Sequence, residues 1–166
     1  MITIGFTGHR KLPDNNAEYK IPAAIYEFVS NSIERVLTDL KPSNAISGMA
    51  IGSDTIAAEV CLKLNIPLIL AIPFRGQELR WPKEAQEKYN QILKQAKKLE
   101  YISPEGYSAW KMQTRNEWIV NNCDILIGIF NGERSGGTFR CIQFAKKQKK
   151  KIIIIDPKLK TIKSNY

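Results

Sequence analysis

Ile2, Ile4 and Phe6 open the chain with apolar alternation, and residues 2–7 predict a first strand. A polar connection carrying Pro13 and Asn15-Asn16 follows. Over residues 22–40, Ile25, Phe28, Val29, Ile33, Val36, Leu37 and Leu40 recur at helical spacing, and Pro22 suits the first turn. Residues 45–48 predict a short buried strand ending in Gly48. The loop 49–53 then enters a helix faced by Ile56, Val60 and Leu64, for which Ser53 or Asp54 is a natural N-cap. A third strand is expected over 67–72, with Pro67 at its first position. An irregular connection over 73–82 carries Arg75, Gln77 and Trp81, and a polar helix over 83–98 leads to a weak edge strand at 99–102. After a turn at 103–106, residues 109–122 predict a helix bearing Met112, Trp118 and Ile119. Residues 124–130 are the clearest buried strand, and a glycine-rich turn at 131–138 opens a helix that faces inward through Cys141, Ile142 and Ala145. The last strand is expected over 151–156, and the lysine-bearing stretch after Pro157 reads as a loose tail.

Strands alternate with helices throughout, and most strands are continuous apolar runs. This pattern predicts an α/β fold: a Rossmann-like three-layer sandwich with a mainly parallel sheet covered on both faces. No repeat or long linker divides the chain, so residues 1–157 are expected to form one domain, with 158–166 as a basic C-terminal tail. If the long excursion returns beside the first strand, the order is 4-3-2-1-5-6. Residues 7–10 and 131–138 would then face each other at the switch point between the first and fifth strands, where open α/β sheets bind ligands.

Composition narrows the classes. With 166 residues, 43% apolar and 25% charged, the chain is long enough for a real core and ordinary for a globular protein. Its longest strongly apolar run, residues 152–155, excludes a membrane span, and the direct entry into a strand predicts no leader segment. Cys61, Cys123 and Cys141 are odd in number and embedded in apolar patterns, which predicts core thiols in a reducing cytoplasm and no metal site. The net charge of +9 favours an anionic partner. Its densest part, Lys146, Lys147, Lys149, Lys150 and Lys151, reads either as a solvated helix end or as a nucleic-acid contact; no aromatic residues interleave with it.

Candidate chemistry clusters where strands end. Thr7 and Gly8 close the first strand, followed by His9, the only histidine, and Arg10, a planar cation suited to phosphate or carboxylate. Gly8 lets another molecule approach the main chain. His9 can contact a ligand, donate a proton or cap a turn, and ligand contact is the favoured role. Ser135, Gly136, Gly137 and Thr138 open a helix, where exposed N–H groups attract phosphate, although a diglycine also makes an ordinary turn. Gly52, Ser53 and Asp54 resemble that arrangement, and Asp54 or Glu59 can accept from a ribose hydroxyl or simply cap and solvate a helix. Asn116 interrupts an apolar helical face beside Arg115, so its amide must find a partner in the protein or in a ligand.

Taken in order, Thr-Gly-His-Arg at 7–10, Ser-Gly-Met-Ala-Ile-Gly-Ser-Asp at 47–54 with Ala-Ala-Glu at 57–59, Pro73-Phe74 with Gln77 and Trp81, Arg115-Asn116, and Asn131 with Ser-Gly-Gly-Thr at 135–138 resemble the SLOG superfamily. The match covers about residues 2–156 and is nearest its small stand-alone YpsA-like branch. That superfamily also holds DprA and the lonely-guy phosphoribohydrolases. The resemblance implies a Rossmann-like fold binding nucleotide-derived ligands, often as a dimer or higher homo-oligomer, and some members are sensor modules in bacterial and phage conflict. It implies a ligand site at Thr7, Gly8, His9, Arg10, Gly48, Gly52, Ser53, Asp54, Pro73, Gln77, Arg115, Asn116, Asn131, Ser135, Gly136, Gly137 and Thr138, with no cofactor and no metal. The phosphoribohydrolases use Pro-Gly-Gly-x-Gly-Thr-x-x-Glu. Here the stretch is Ser-Gly-Gly-Thr-Phe-Arg-Cys-Ile, without the second Gly-Thr step or the glutamate.

The expected function is therefore binding of a phosphorylated nucleoside or ADP-ribose-like ligand, as a sensor or regulatory module. The alternative is an enzyme cleaving a nucleotide N-glycosidic bond, with Glu59 or Asp54 as carboxylate and His9 as proton donor. A weaker alternative is DprA-like nucleic-acid binding through residues 146–151.

Overall fold

The computed structural model describes residues 1–12 and 20–164. The polar connection expected around Pro13 and Asn15-Asn16 lies outside the described residues. Elements alternate from the start: β1 (Thr3–Gly8), α1 (Ala23–Leu40), β2 (Asn44–Ser47), α2 (Ser53–Lys63), β3 (Leu68–Ile72), α3 (Lys83–Gln95) and β4 (Lys98–Tyr101). They continue with α4 (Ala109–Asn121), β5 (Ile125–Ile129), α5 (Gly136–Lys147), β6 (Lys151–Asp156) and β7 (Thr161–Ser164). The sheet runs β4-β3-β2-β1-β5-β6-β7, so the expected order holds and one strand is added. Pairings from β4 to β6 are parallel, and β7 is antiparallel to β6.

The apolar runs explain the layering. All five residues of β5 are buried, because helices cover both faces of the sheet there. Ile125, Ile127 and Ile129 pack with Ile4, Phe6 and the inner faces of α1, α2 and α3. Leu126, with Ile152 and Ile154, points the other way onto Ile119, Val120 and Ile142 of α4 and α5. Both layers therefore follow from a period-two strand whose every position is apolar. The three cysteines lie in these cores, and burial pushes Cys61 and Cys141 up to about 12 and Cys123 up to about 11. No helix among the described residues is long and apolar enough to cross a membrane.

Two local expectations are corrected. Gly52, not Ser53 or Asp54, occupies the N-cap of α2. The Ser53 hydroxyl donates instead to the His9 carbonyl (2.8 Å), and Asp54 Oδ2 accepts from the Ala50 N–H (3.2 Å). The stretch after Pro157 is not a loose tail through residue 164. Asp156 Oδ1 accepts from the Lys158 and Leu159 N–H groups (2.8 and 3.0 Å), which turns the chain back on itself. β7 then pairs along β6, with Ile162 opposite Ile155. A chain ended at Pro157 loses this strand and uncovers the β6 edge. Its urea-unfolding free energy should fall by about 1–2 kcal/mol, whereas removing a loose tail would leave the midpoint unchanged.

Candidate functional site

The strand order reverses between β1 and β5, which pair in register from Ile4 opposite Ile125 to Gly8 opposite Ile129. Beyond Gly8 the ladder gains one more bond, from the His9 N–H to the Ile129 carbonyl (3.2 Å). The loops leaving these two strands are thereby held together. His9 Nε2 lies 2.9 Å from Asn131 Oδ1 and 3.2 Å from the Asn131 main-chain nitrogen. Asn131 Oδ1 also accepts from the Glu133 N–H (3.1 Å). A protonated Nε2 donates to Oδ1, and a bare Nε2 accepts from the main chain, so the imidazole bridges the loops in either neutral form. Burial lowers the His9 pKa below its ordinary 6.5, outweighing the Asn131 bond and the charges of Glu133 and Asp156.

Gly8 is small for a packing reason: a Cβ there would come within 2.5 Å of the Ser53 Cβ. This lets the start of α2 lie directly on the strand end. Gly48 serves a different neighbour. A Cβ at Gly48 would fall on the guanidinium of Arg115, which is only 5% exposed. Arg115 Nη1 donates to the Gly48 carbonyl (2.5 Å), and its Nε donates to Asn116 Oδ1 (2.9 Å). The buried amide thus finds its partner one residue away. Gln77 Nε2 reaches the Gly48 and Met49 carbonyls, both at 3.3 Å, and braces the same loop.

Asp54 completes the buried floor. Its Oδ2 takes the Ala50 N–H, while its Oδ1 is buried with no hydrogen-bond partner among the described residues. Burial raises the Asp54 pKa, and Arg115 and then Arg10 pull it back only in part. Burial likewise lowers that of Arg115 against the opposing charge of Asp54. Above this floor stands the start of α5. Ser135 is its N-cap in extended conformation, Gly136 follows at φ 87°, and no side chain caps the first turn. Nothing lies within 4 Å of where a Gly136 side chain would be, so this backbone is open to an approaching group.

These pieces enclose a cleft of about 310 Å³. Thr7, Gly8, His9 and Arg10 form one wall, Asp54, Arg115 and Asn116 the floor, and residues 135–138 the opposite wall. Ala50, Met112 and Glu133 also line it and were not foreseen; Met112 stands one helical turn before Arg115, which was the available signal. Among the other expected residues, Gly48, Ser53, Gln77 and Asn131 support the cleft from behind. Gly52, at φ 94°, packs on the Arg10 carbonyl. Pro73 is buried and accepts from the Ser103 N–H through its carbonyl (3.1 Å). Glu59 lies elsewhere, in a hollow of about 480 Å³ between α1, α2 and α3. There it accepts from Tyr26 (2.9 Å) and pairs with Lys88 (3.1 Å), a clamp between helices. A larger groove of about 860 Å³ runs along α1, β6 and β7, but it lacks the convergent buried polar groups of the cleft.

A cleft at the switch point of a seven-stranded, mainly parallel Rossmann-like sheet defines the class of fold. The chain belongs to the YspA SLOG family, whose model matches residues 5–162. It is similar to the SPbeta prophage-derived protein YoqJ of Bacillus subtilis, 28% identical over 132 residues, covering 69% of this chain and 76% of that one. It is also similar to the UPF0398 protein BH1768 of Halalkalibacterium halodurans, 30% identical over 109 residues, where the match spans 62% of this chain and 57% of the relative. Among solved structures, DNA processing protein A of Streptococcus pneumoniae superposes with a TM-score of 0.68 at 19% identity, over 93% of this chain and 50% of that one. The Helicobacter pylori DNA processing protein A, described with a single-stranded DNA binding mode, gives 0.65 at 18% identity over 93% and 65%. At these identities the likeness is one of fold.

Gly48→Ala should displace Arg115 and lower the unfolding free energy by about 1–3 kcal/mol, read by urea denaturation; an unchanged midpoint would show the guanidinium is not confined there. His9 has its own pH signature. Because folding lowers its pKa, its contribution is present above the unfolded value of 6.5 and is lost as pH falls through the folded value. Thermal melts from neutral to acidic pH should show wild type losing stability that His9→Gln keeps.

Proposed function

We propose that the protein is a binding module for a phosphorylated nucleoside, with the phosphate against the start of α5 and the sugar over Asp54. The observation that carries this reading is Asp54 Oδ1, a buried acceptor left without a partner in the floor of a cleft flanked by two arginines. Such an atom costs free energy unless something donates to it, and a sugar hydroxyl has the right chemistry. Opposite it, the uncapped α5 N-terminus and the exposed Arg10 favour a negative group. Arg115 is already bonded to Gly48 and Asn116, so it supplies charge to the floor while Arg10 is the arm able to close on phosphate. Membership of the SLOG family supports a nucleotide-derived ligand.

One observation favours a second reading, cleavage of an N-glycosidic bond. Asp54 carries a raised pKa inside the same cleft as a histidine, a pairing suited to acid–base work. Here Asp54 is the candidate proton carrier, since burial keeps His9 neutral, and Glu59 stands outside the cleft. Calorimetry with adenosine 5′-monophosphate, adenosine and ADP-ribose separates the two. Binding predicts that a phosphorylated ligand at 100 times its Kd adds about 2.7 kcal/mol of stability without base release. Arg10→Ala should weaken the monophosphate about 10-fold or more and leave adenosine unaffected, and Asp54→Asn should weaken both. Release of adenine that Asp54→Asn abolishes would favour the enzyme; no binding by any of the three would refute the module.

A further inference from the structure

The carboxyl ends of β3 and β4 carry a second surface. Lys111, in the first turn of α4, is only 7% exposed, and its ammonium donates to the carbonyls of Pro104, Glu105 and Gly106 at 2.8, 2.8 and 2.6 Å. All three donors of the ammonium are thus satisfied, and the preceding loop is pinned to the helix. The pinned loop and the ends of the elements it joins present aromatic rings outward: Tyr107 is 71% exposed, Trp110 58% and Tyr101 37%. Tyr107 meets the buried Phe74 edge-on at 6.1 Å, so its ring has a fixed support. Exposed rings grouped this way on one surface mark an interaction site. Trp110 and the cleft residue Met112 point about 200° apart round α4, which separates this surface from the cleft.

Cations lie beside the Tyr101, Trp110 and Phe74 rings. The Arg75 guanidinium lies 4.3 Å from the Tyr101 ring centre, and Lys111 Nζ lies 5.7 Å from Trp110 and 5.8 Å from Phe74. Among the described residues, Arg75 is tied to protein charge only by a 3.7 Å contact with Glu105, both side chains being largely exposed. We propose that this shelf binds single-stranded nucleic acid, with bases stacking on Trp110 and Tyr107 and a phosphate drawing Arg75 from Glu105. Flat exposed rings interleaved with cations are what splayed bases on a phosphate chain require. The net charge of +9 attracts a polyanion, whereas a second copy would bring the same charge and the same cations to the same face. A duplex keeps its bases stacked on each other and offers the rings nothing.

Fluorescence anisotropy with a labelled 15-nucleotide oligothymidylate tests the shelf. Trp110→Ala and Tyr107→Ala should each weaken binding by about 5-fold or more, and Trp110→Phe should restore it to within about 2-fold of wild type. Arg75→Ala should flatten the log-affinity against log-salt slope by about 0.7. Circular dichroism on the same samples checks that these exposed substitutions leave the fold intact. Wild type without affinity, or alanine variants binding as tightly as wild type, would overturn the proposal. So would sedimentation in which Trp110→Ala splits a homodimer while oligonucleotide affinity stays unchanged, since the shelf would then be a protein interface.

Discussion

A guanidinium buried in a protein must be answered by its neighbours, and the Arg115 site organises this molecule around that requirement. Its donors meet the Gly48 carbonyl and the Asn116 amide, and its charge faces Asp54. Gly48 has to be glycine to admit it, and Gln77 has to hold the same loop in place. Arg115 Nη1 and the Gln77 amide nitrogen thus converge on one loop, which couples these buried groups. Among the described residues that line the cleft, Asp54 Oδ1 is the one buried side-chain atom left without a partner. A floor that is neutralised except at one acceptor is preorganised to receive a donor.

The topology places the opposite wall. Because β5 returns beside β1, the loop after Gly8 and the loop after Ile129 leave the sheet side by side, and His9 bridges them through Asn131. The glycines of α5 then stand near the Arg115 floor, where a Cβ added at Gly137 would lie 4.0 Å from Asn116 Nδ2. Binding geometry here is a consequence of strand order, the general behaviour of open α/β sheets. In the SLOG setting, Ser-Gly-Gly-Thr at 135–138 keeps an open helix start while offering no carboxylate from that turn. The only deeply buried carboxylate in the cleft lining is that of Asp54, on the other side.

Much of the fold was legible in the sequence, because β1 alternates, while β3, β5 and β6 are apolar on both faces and the helices between them keep a 3.6-residue period. β7 was not, because Lys160, Lys163 and Ser164 surround one apolar residue, Ile162, and a two-sided burial signal is absent from a half-exposed edge. Its trace lay in the side chain of Asp156, an acceptor placed to turn the chain, followed by β-branched Thr161 and Ile162. The two sides of the cleft were legible as small residues after strands. Glu59 stands outside the cleft for a geometric reason. It sits five residues after Asp54, about 140° round the helix, so the two carboxylates cannot share a face. Lys111 was opaque for another reason: its three carbonyl partners come from a loop whose path the local pattern does not encode.

The central claim is spatial: one cleft, built at the β1/β5 switch, receives the charged end of a nucleotide. Titrating adenosine 5′-monophosphate into ¹⁵N-labelled protein tests it most directly, by following backbone amides together with the arginine Nε–H signals. The account predicts saturable shifts at Gly136, Gly137 and Thr138 and at the side chains of Arg10 and Arg115, with Thr55, Glu59 and Lys88 unmoved. Shifts confined to the Glu59 hollow, or none at the start of α5, would contradict it.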